Sequence, residues 1–392
     1  MFRFGYEPGT IRYGEDCVDA LAQELDALGT ERALVVAGQT TGTTPEVIDP
    51  VREGLGEYLV DVFAETTPDK TLETAFDGAD RVAETDADVL VALGGGSSLD
   101  IAKAISVLAA SEQPHDEVRE TFEESGSIAV PDGELPPVVA VPTTLAGADL
   151  SMIAGVTARR EGLVRGGAYD ERLMPSALFY DPELFRTTPQ GVLCASAMNG
   201  FDKAVETLYA NTATPITDGT AVRALRLLDS GLPALGSGAR DDATMHDAIV
   251  GTILAQYGCS RADGLTLSLI HAFGHGIARG YDIRQGGAHA IIAPHALRYL
   301  FDHVDGGRDL LAEGFDIDAA TPETTAERVV DRIVSIRDAL GLPSQLREID
   351  DMEQSDLPDI AEDVHTDGLM PYCPEGLDPT ARELEDVLRD AW

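Results

Sequence analysis

Two short stretches hold residues whose types and spacing could do chemistry. The first is GGGSSLDIAK, Gly94 to Lys103. Three consecutive glycines let a backbone approach a ligand without Cβ obstruction and tolerate positive φ. A helix starting there would aim its unpaired N–H groups and the positive end of its dipole at the same space, which suits a pyrophosphate. Ser97 and Ser98 could cap that helix or bond a phosphate oxygen, and Asp100 could cap it or reach a ribose. The plainer alternative is a tight turn with no ligand. The spacing is neither a P-loop nor G-x-G-x-x-G. The second stretch runs from His271 to His295 and holds four of the eight histidines. His271 and His275, four apart on an expected helix, share one face. That spacing suits two metal ligands, or one catalytic histidine beside another that orients substrate. Two core histidines are the plainer reading.

The elements that must position these groups follow from the hydrophobic pattern. In the first half, β-rich runs alternate with amphipathic stretches, the pattern of a parallel sheet wrapped by helices. Arg32–Gly38, Asp88–Leu93 and Val138–Val141 are predicted strands. A helix is predicted from about Pro45, and another follows the triple glycine through Ser106. The third strand runs into Pro142-Thr143-Thr144. Beyond Thr188-Pro189, which would break a helix, the texture turns helical, with segments over 193–210, 220–230, 245–256, 265–279 and 381–392. The expected architecture is an α/β dinucleotide-binding domain, residues 1–188, followed by an all-α catalytic domain, 189–392, flanking a cleft.

Composition narrows the function classes. Sixty-nine acidic residues against 28 basic ones give a formal net charge of −41, which repels nucleic acid and anionic membrane. The acids are spread along the chain, so we read a surface adapted to high salt, where screening removes most of the self-repulsion. Only Lys70, Lys103 and Lys203 are lysines. No run approaches the roughly 20 apolar residues a bilayer demands, and MFRFGYEPGT lacks a basic-then-apolar start, so a cytoplasmic location is expected. Cys17, Cys194, Cys259 and Cys373 form no CxxC pair and are read as free thiols.

GGGSSLDIAKAIS, followed some forty residues later by VAVPTT, resembles the iron-containing alcohol dehydrogenase family, related to dehydroquinate synthase. The resemblance implies a nicotinamide cofactor, with its pyrophosphate on Gly94, Gly95, Gly96, Ser97 and Asp100, and Thr143 and Thr144 along the adenosine half. The family's GTGSE-like run after the Thr pair is replaced by Leu145-Ala146-Gly147-Ala148-Asp149. NAD-preferring members often end the first strand with an acidic residue; here Gly38 stands there, followed by Gln39-Thr40-Thr41. The expected cofactor is therefore NADP or NAD, with a lean to NADP.

In that family one Asp and three His hold a divalent metal. Matched motif on motif, those positions fall on Asn199, Lys203, His271 and Gln285. A protonated lysine cannot ligate a cation and opposes it by charge, so the family metal is expected to be absent. A different site built from Asp202, Glu206 and His271 is the alternative. Loss of the metal removes a Lewis acid; Lys203 is expected to replace it by stabilising an alkoxide or anchoring a carboxylate, with His271 or His275 supplying or relaying the proton. A surface lysine ion-paired to Glu206 is the plainer reading. The texture is similar to that of maleylacetate reductases, which share Asn199, the Glu206–Ala210 run, the AHAIIAPH run with His289 and the AW end, and are likewise described as metal-free. The expected function is oxidation and reduction of a small alcohol and its carbonyl by a homo-oligomer, a dimer by analogy with relatives. The alternatives are a dehydroquinate-synthase-like lyase using NAD transiently, and an inactive cofactor-binding protein.

Overall fold

The computed structural model describes residues 2–159 and 162–392. It divides into two compact units, one of residues 6–144 and 148–188, the other of Pro189–Trp392 together with residues 2–5 and 145–147. The expected first domain, 1–188, had included both short segments. They join the helical unit for local reasons. Leu145 N donates to Ser196 Oγ at 3.1 Å, Asn199 Nδ2 donates to the Ala146 carbonyl at 3.1 Å, and Arg261 lies over the Phe4 ring.

The first unit is built on a six-stranded parallel sheet. Its strands are β1 (Thr10–Tyr13), β2 (Ala33–Gly38), β3 (Leu59–Thr66), β4 (Val89–Gly94), β5 (Val138–Pro142) and, after a separate antiparallel hairpin of β6 (Ile153–Arg159) and β7 (Leu163–Tyr169), β8 (Ala177–Tyr180). The order is β1-β8-β5-β4-β2-β3. β4 and β5 are buried throughout, and β2 is buried up to Gly38. Hence they read as unbroken apolar runs rather than alternating ones. Parallel neighbours need crossovers, supplied by helices Pro45–Leu55, Leu72–Thr85 and Gly96–Ala109. β3 was not predicted. Its sequence, LVDVFAET, mixes acids into an edge strand that only β2 pairs.

The register sets Gly94 opposite Pro142, so the triple glycine and the Thr pair leave the sheet side by side. Thr143 N donates to the Gly94 carbonyl at 2.9 Å and locks that pairing. Ligands of open α/β sheets bind at this carboxyl edge.

The second unit is all helical apart from a two-residue ribbon pair. Helix Gln190–Thr207 is buried around nearly its whole circumference from Leu193 onward, which marks it as the central helix. Helices Leu269–Gly280 and Gln285–His303 approach it and each other at glycines. A Cβ on Gly286 would overlap the Ala195 carbonyl, and one on Gly274 would overlap the His289 ring. Thr214 and Thr217 form a capping box that starts helix Pro215–Gly236, and Asp241 caps Asp242–Gln256. Both helices outrun their predicted spans at the amino end: Pro215 at the first helical position reads as a breaker unless its cap is recognised, and the Asp241 cap starts the other three residues before its apolar pattern begins.

No described helix is long and apolar enough to cross a membrane.

Candidate active site

In the sheet unit, Gly94 ends β4 at φ +133°, a conformation that favours glycine, Gly95 is extended, and Gly96 opens the helix. No side chain caps that helix, so its first N–H groups are not closed off from within. Room for side chains here is tight at Gly95 and ordinary at Gly96. A Cβ on Gly95 would lie 3.2 Å from Thr144 Cγ2, and one on Gly96 3.4 Å from Ala148 Cβ. The result is a concave backbone turn with the positive end of a helix behind it.

Two serine and aspartate readings need correction. Ser98 does not cap the helix: its buried hydroxyl is 2.9 Å from Thr66 Oγ1 and ties the helix to β3. Asp100 is held by Lys70 Nζ at 2.8 Å, so its carboxylate is committed to an ion pair rather than to capping. Ser97 stays half-buried in the first turn. Thr143 is buried, and its carbonyl accepts from Thr188 Oγ1 at 2.7 Å. Lys103, fully buried, donates to the carbonyls of Ala148 (3.3 Å) and Ser151 (2.6 Å) and so shapes the chain beyond Thr144. Burial pushes its ammonium down to about 8. Gly38 ends β2 as the N-cap of helix Gln39–Thr43, with no carboxylate on Gln39, Thr40 or Thr41.

In the helical unit, Lys203 is the centre of a buried polar group. The surface placement considered from sequence is wrong: Lys203 is 8% exposed. Its Nζ is 3.5 Å from His271 Nε2, and its stem runs against Gly147, where a Cβ would lie 3.1 Å from Cε. Gly147 has φ +68°. The other face of the His271 ring meets Glu206: Nδ1 bonds Oε2, while Oε1 accepts from the backbone N–H of Ser268 (3.2 Å), Ile270 (2.7 Å) and His271 (3.2 Å). Glu206 thereby caps helix Leu269–Gly280. Burial raises it to about 7 against the pull of those three amides. Burial first, then the neighbouring His289 and Lys203 charges, holds His271 well below the usual imidazole range.

One turn earlier on the central helix, Asp202 faces His289, whose Nδ1 is 3.1 Å from Asp202 Oδ2. The pair is close but misaligned, and neither side chain makes a hydrogen bond. Burial raises Asp202 well above the carboxylate range and depresses His289. The His271 and His289 rings meet edge-on at 4.4 Å.

His271 and His275 share a helix but not an environment. His275 is half-exposed and bonds Asp367 Oδ2 at 3.0 Å through Nδ1. Asn199 donates to the Ala146 carbonyl, and its buried Oδ1 has no partner. Gln285 is the half-buried first residue of its helix. Among the described residues, no three of His, Cys, Asp and Glu form a metal-holding group. Sequence reasoning missed His289 and Asp367 as neighbours of the site, and it missed the capping by Glu206. The i+3 spacing from Lys203 to Glu206 and the i+4 spacing from Gln285 to His289 were the available signals.

Comparison with known proteins agrees with both units. The family model described as iron-containing alcohol dehydrogenase matches residues 8–182, and that of the Fe-containing alcohol dehydrogenase family, C-terminal, matches residues 193–392. Relatives include an NAD-dependent methanol dehydrogenase of Bacillus methanolicus, 28% identical and covering 100% of both chains. A maleylacetate reductase of Pseudomonas aeruginosa is 30% identical over 76% of this chain and 75% of its own. The crystal structure of a 1,3-propanediol oxidoreductase superposes with a TM-score of 0.90 at 23% identity, covering 100% of both chains. A parallel-sheet unit with a triple-glycine turn, a helical unit, and matches along nearly the whole chain lead to one assignment: the protein is an oxidoreductase belonging to the iron-containing alcohol dehydrogenase family.

Proposed function

We propose that the enzyme interconverts a small alcohol and its aldehyde or ketone with a nicotinamide cofactor, and that Lys203 does the work of the family's cation. The observation that carries this reading is an ammonium, 8% exposed, at one of the four ligand positions and 3.5 Å from the histidine at another. The iron implied by the family name does not fit these residues. Asn199 is a weak amide donor already bonded to a carbonyl, Lys203 brings a positive charge, and only His271 keeps a ligand's chemistry. Asp202 and Glu206 do not complete a substitute set with His271, since Glu206 is spent on His271 Nδ1 and on backbone amides.

In the reducing direction, a bound nicotinamide would supply the hydride for the carbonyl carbon. The oxygen, left with the π pair, takes a proton from the Lys203 ammonium. A dry ammonium stabilises that developing alkoxide more strongly than one in water. On this reading Lys203 regains its proton from solvent after the alcohol leaves, with His275, half-exposed and bonded to Asp367, as the relay. Lys203 also suits substrates carrying a carboxylate, as the name of the maleylacetate reductase relative indicates for that protein. Gly38 supports acceptance of a 2′-phosphate, since no acid at the end of β2 repels it.

The test is Lys203→Ala in molar KCl. Turnover is expected to fall at least 10³-fold, by order of magnitude for a lost transition-state electrophile, while calorimetric uptake of NADPH or NADH persists. Retained turnover, or a stoichiometric divalent metal in protein purified without chelator, overturns the reading.

A further inference from the structure

We propose that Glu206 is a positioning residue that locks His271 with its proton on Nδ1, so that the Nε2 lone pair receives one N–H of Lys203 and leaves the rest of the ammonium for substrate oxygen. This rests on the reading of Lys203 given above.

The geometry separates two jobs within one carboxylate. Oε1 alone satisfies the start of helix Leu269–Gly280 by accepting three backbone N–H groups, with the Tyr209 hydroxyl a further donor at 3.2 Å. A cap needs nothing more. Oε2 is directed instead to the Nδ1 of His271, and the carboxylate is fully buried, so no water competes for it. An oxygen pair crowded by donors at a helix N-terminus is an acceptor, which obliges the imidazole to donate through Nδ1. Neutral imidazole carries one N–H, so Nε2 is then an acceptor. The atom facing Nε2 at 3.5 Å is the Lys203 ammonium, a donor only. The opposite tautomer would set an N–H against an N–H⁺. The His289 ring, packed edge-on against His271, and the Gly274 backbone against His289 keep the imidazole from turning away.

The chain Glu206–His271–Lys203 is thus ordered acceptor, donor–acceptor, donor. A Lys203 held this way has one N–H fixed on His271, which sets the directions of the other two, as a proton donor to an alkoxide requires.

The experiment is long-range ¹H–¹⁵N correlation of ¹⁵N-histidine-labelled full-length protein in molar KCl, with His271→Gln identifying the signals. The expected wild-type pattern is a protonated Nδ1 and a bare Nε2. Glu206→Gln keeps an oxygen for the helix amides but presents an NH₂ to the ring, so the tautomer is expected to invert. With it, kcat is expected to fall on the order of 10²-fold or more, as loss of an orienting carboxylate does elsewhere, with cofactor affinity unchanged. A wild-type His271 protonated at Nε2 overturns the proposal even if the variant fails to fold, and so does an unchanged tautomer or unchanged kcat in Glu206→Gln. Lys203→Met keeps the wild-type tautomer if Glu206 sets it. Activity surviving in Lys203→Ala would remove the function reading while leaving this spectrum intact.

Discussion

Replacing Gly94 with alanine is a test of the proposed cofactor turn whose cost can be worked from the structure. The residue sits at φ +133°, where an L side chain adds roughly 1–3 kcal/mol of backbone strain. Its Cβ would lie 3.0 Å from Ser98 Oγ and 3.8 Å from Thr41 Cγ2. Ser98 cannot yield freely, because its hydroxyl is buried on Thr66 at 2.9 Å; displacing it adds about 1 kcal/mol for the lost hydrogen bond. The sum is about 2–4 kcal/mol. Any relaxation also pulls the Gly94 carbonyl from Thr143 N and rotates the Gly95 and Gly96 amides. Denaturant unfolding in molar KCl reads the stability, and calorimetry with NADH and NADPH reads the binding. Gly133→Ala, a site with open space around the added methyl, serves as the control and should change neither by more than about 0.5 kcal/mol. Gly95→Ala separates the two effects. Its backbone is already extended, so it should keep most of its stability yet lose cofactor, because the methyl fills the approach beside Thr144. A Gly94→Ala protein as stable as the control, or a Gly95→Ala protein with wild-type affinity for both nucleotides, refutes the reasoning.

Two further predictions concern the helical unit. Burial, aided by Arg298, lowers His295 from 6.5 to about 4. The unfolded chain therefore binds the extra proton first, and stability is lost as pH falls from about 6.5 towards 4. His295→Asn should flatten that limb by about 1–3 kcal/mol after allowance for partial exposure, read as the wild-type minus variant difference at each pH; identical acid limbs would refute it. The triple variant Asn199→Asp, Lys203→His, Gln285→His rebuilds the family's ligand types around His271. It should take up one divalent ion per chain by elemental analysis where the wild type takes none, and equal loading of both proteins would contradict the account of the site.

Much of the fold was legible because local and global signals agreed. β2, β4 and β5 are apolar runs closed by glycine or proline, and the triple glycine sits where a buried strand meets a helix. β1 and β8 escaped because four residues each, TIRY and ALFY, give no period to count. At the site, residues sharing one helix were readable from spacing: Asn199, Lys203 and Glu206 on one, His271 and His275 on another. What spacing could not give was partnership across helices. Asp202 with His289, His275 with Asp367 and Ser98 with Thr66 are separated by 87, 92 and 32 positions, respectively. The partners of Asp100 and Ser98 were not readable for the same reason, since they lie on β3 and the loop after it.

The lysine inventory has a practical side. Of the three lysines, Lys103 is fully buried, Lys203 is 8% exposed, and Lys70 has the most access to solvent, at 31%, while leaning on Asp100. Amine-directed tags, cross-linkers and resins aimed at side chains therefore have a single anchoring point on the folded enzyme. That point lies beside the triple-glycine helix, so immobilisation through it would tether the molecule at the turn proposed to hold the nucleotide, and arginine- or carboxylate-directed coupling is the gentler route.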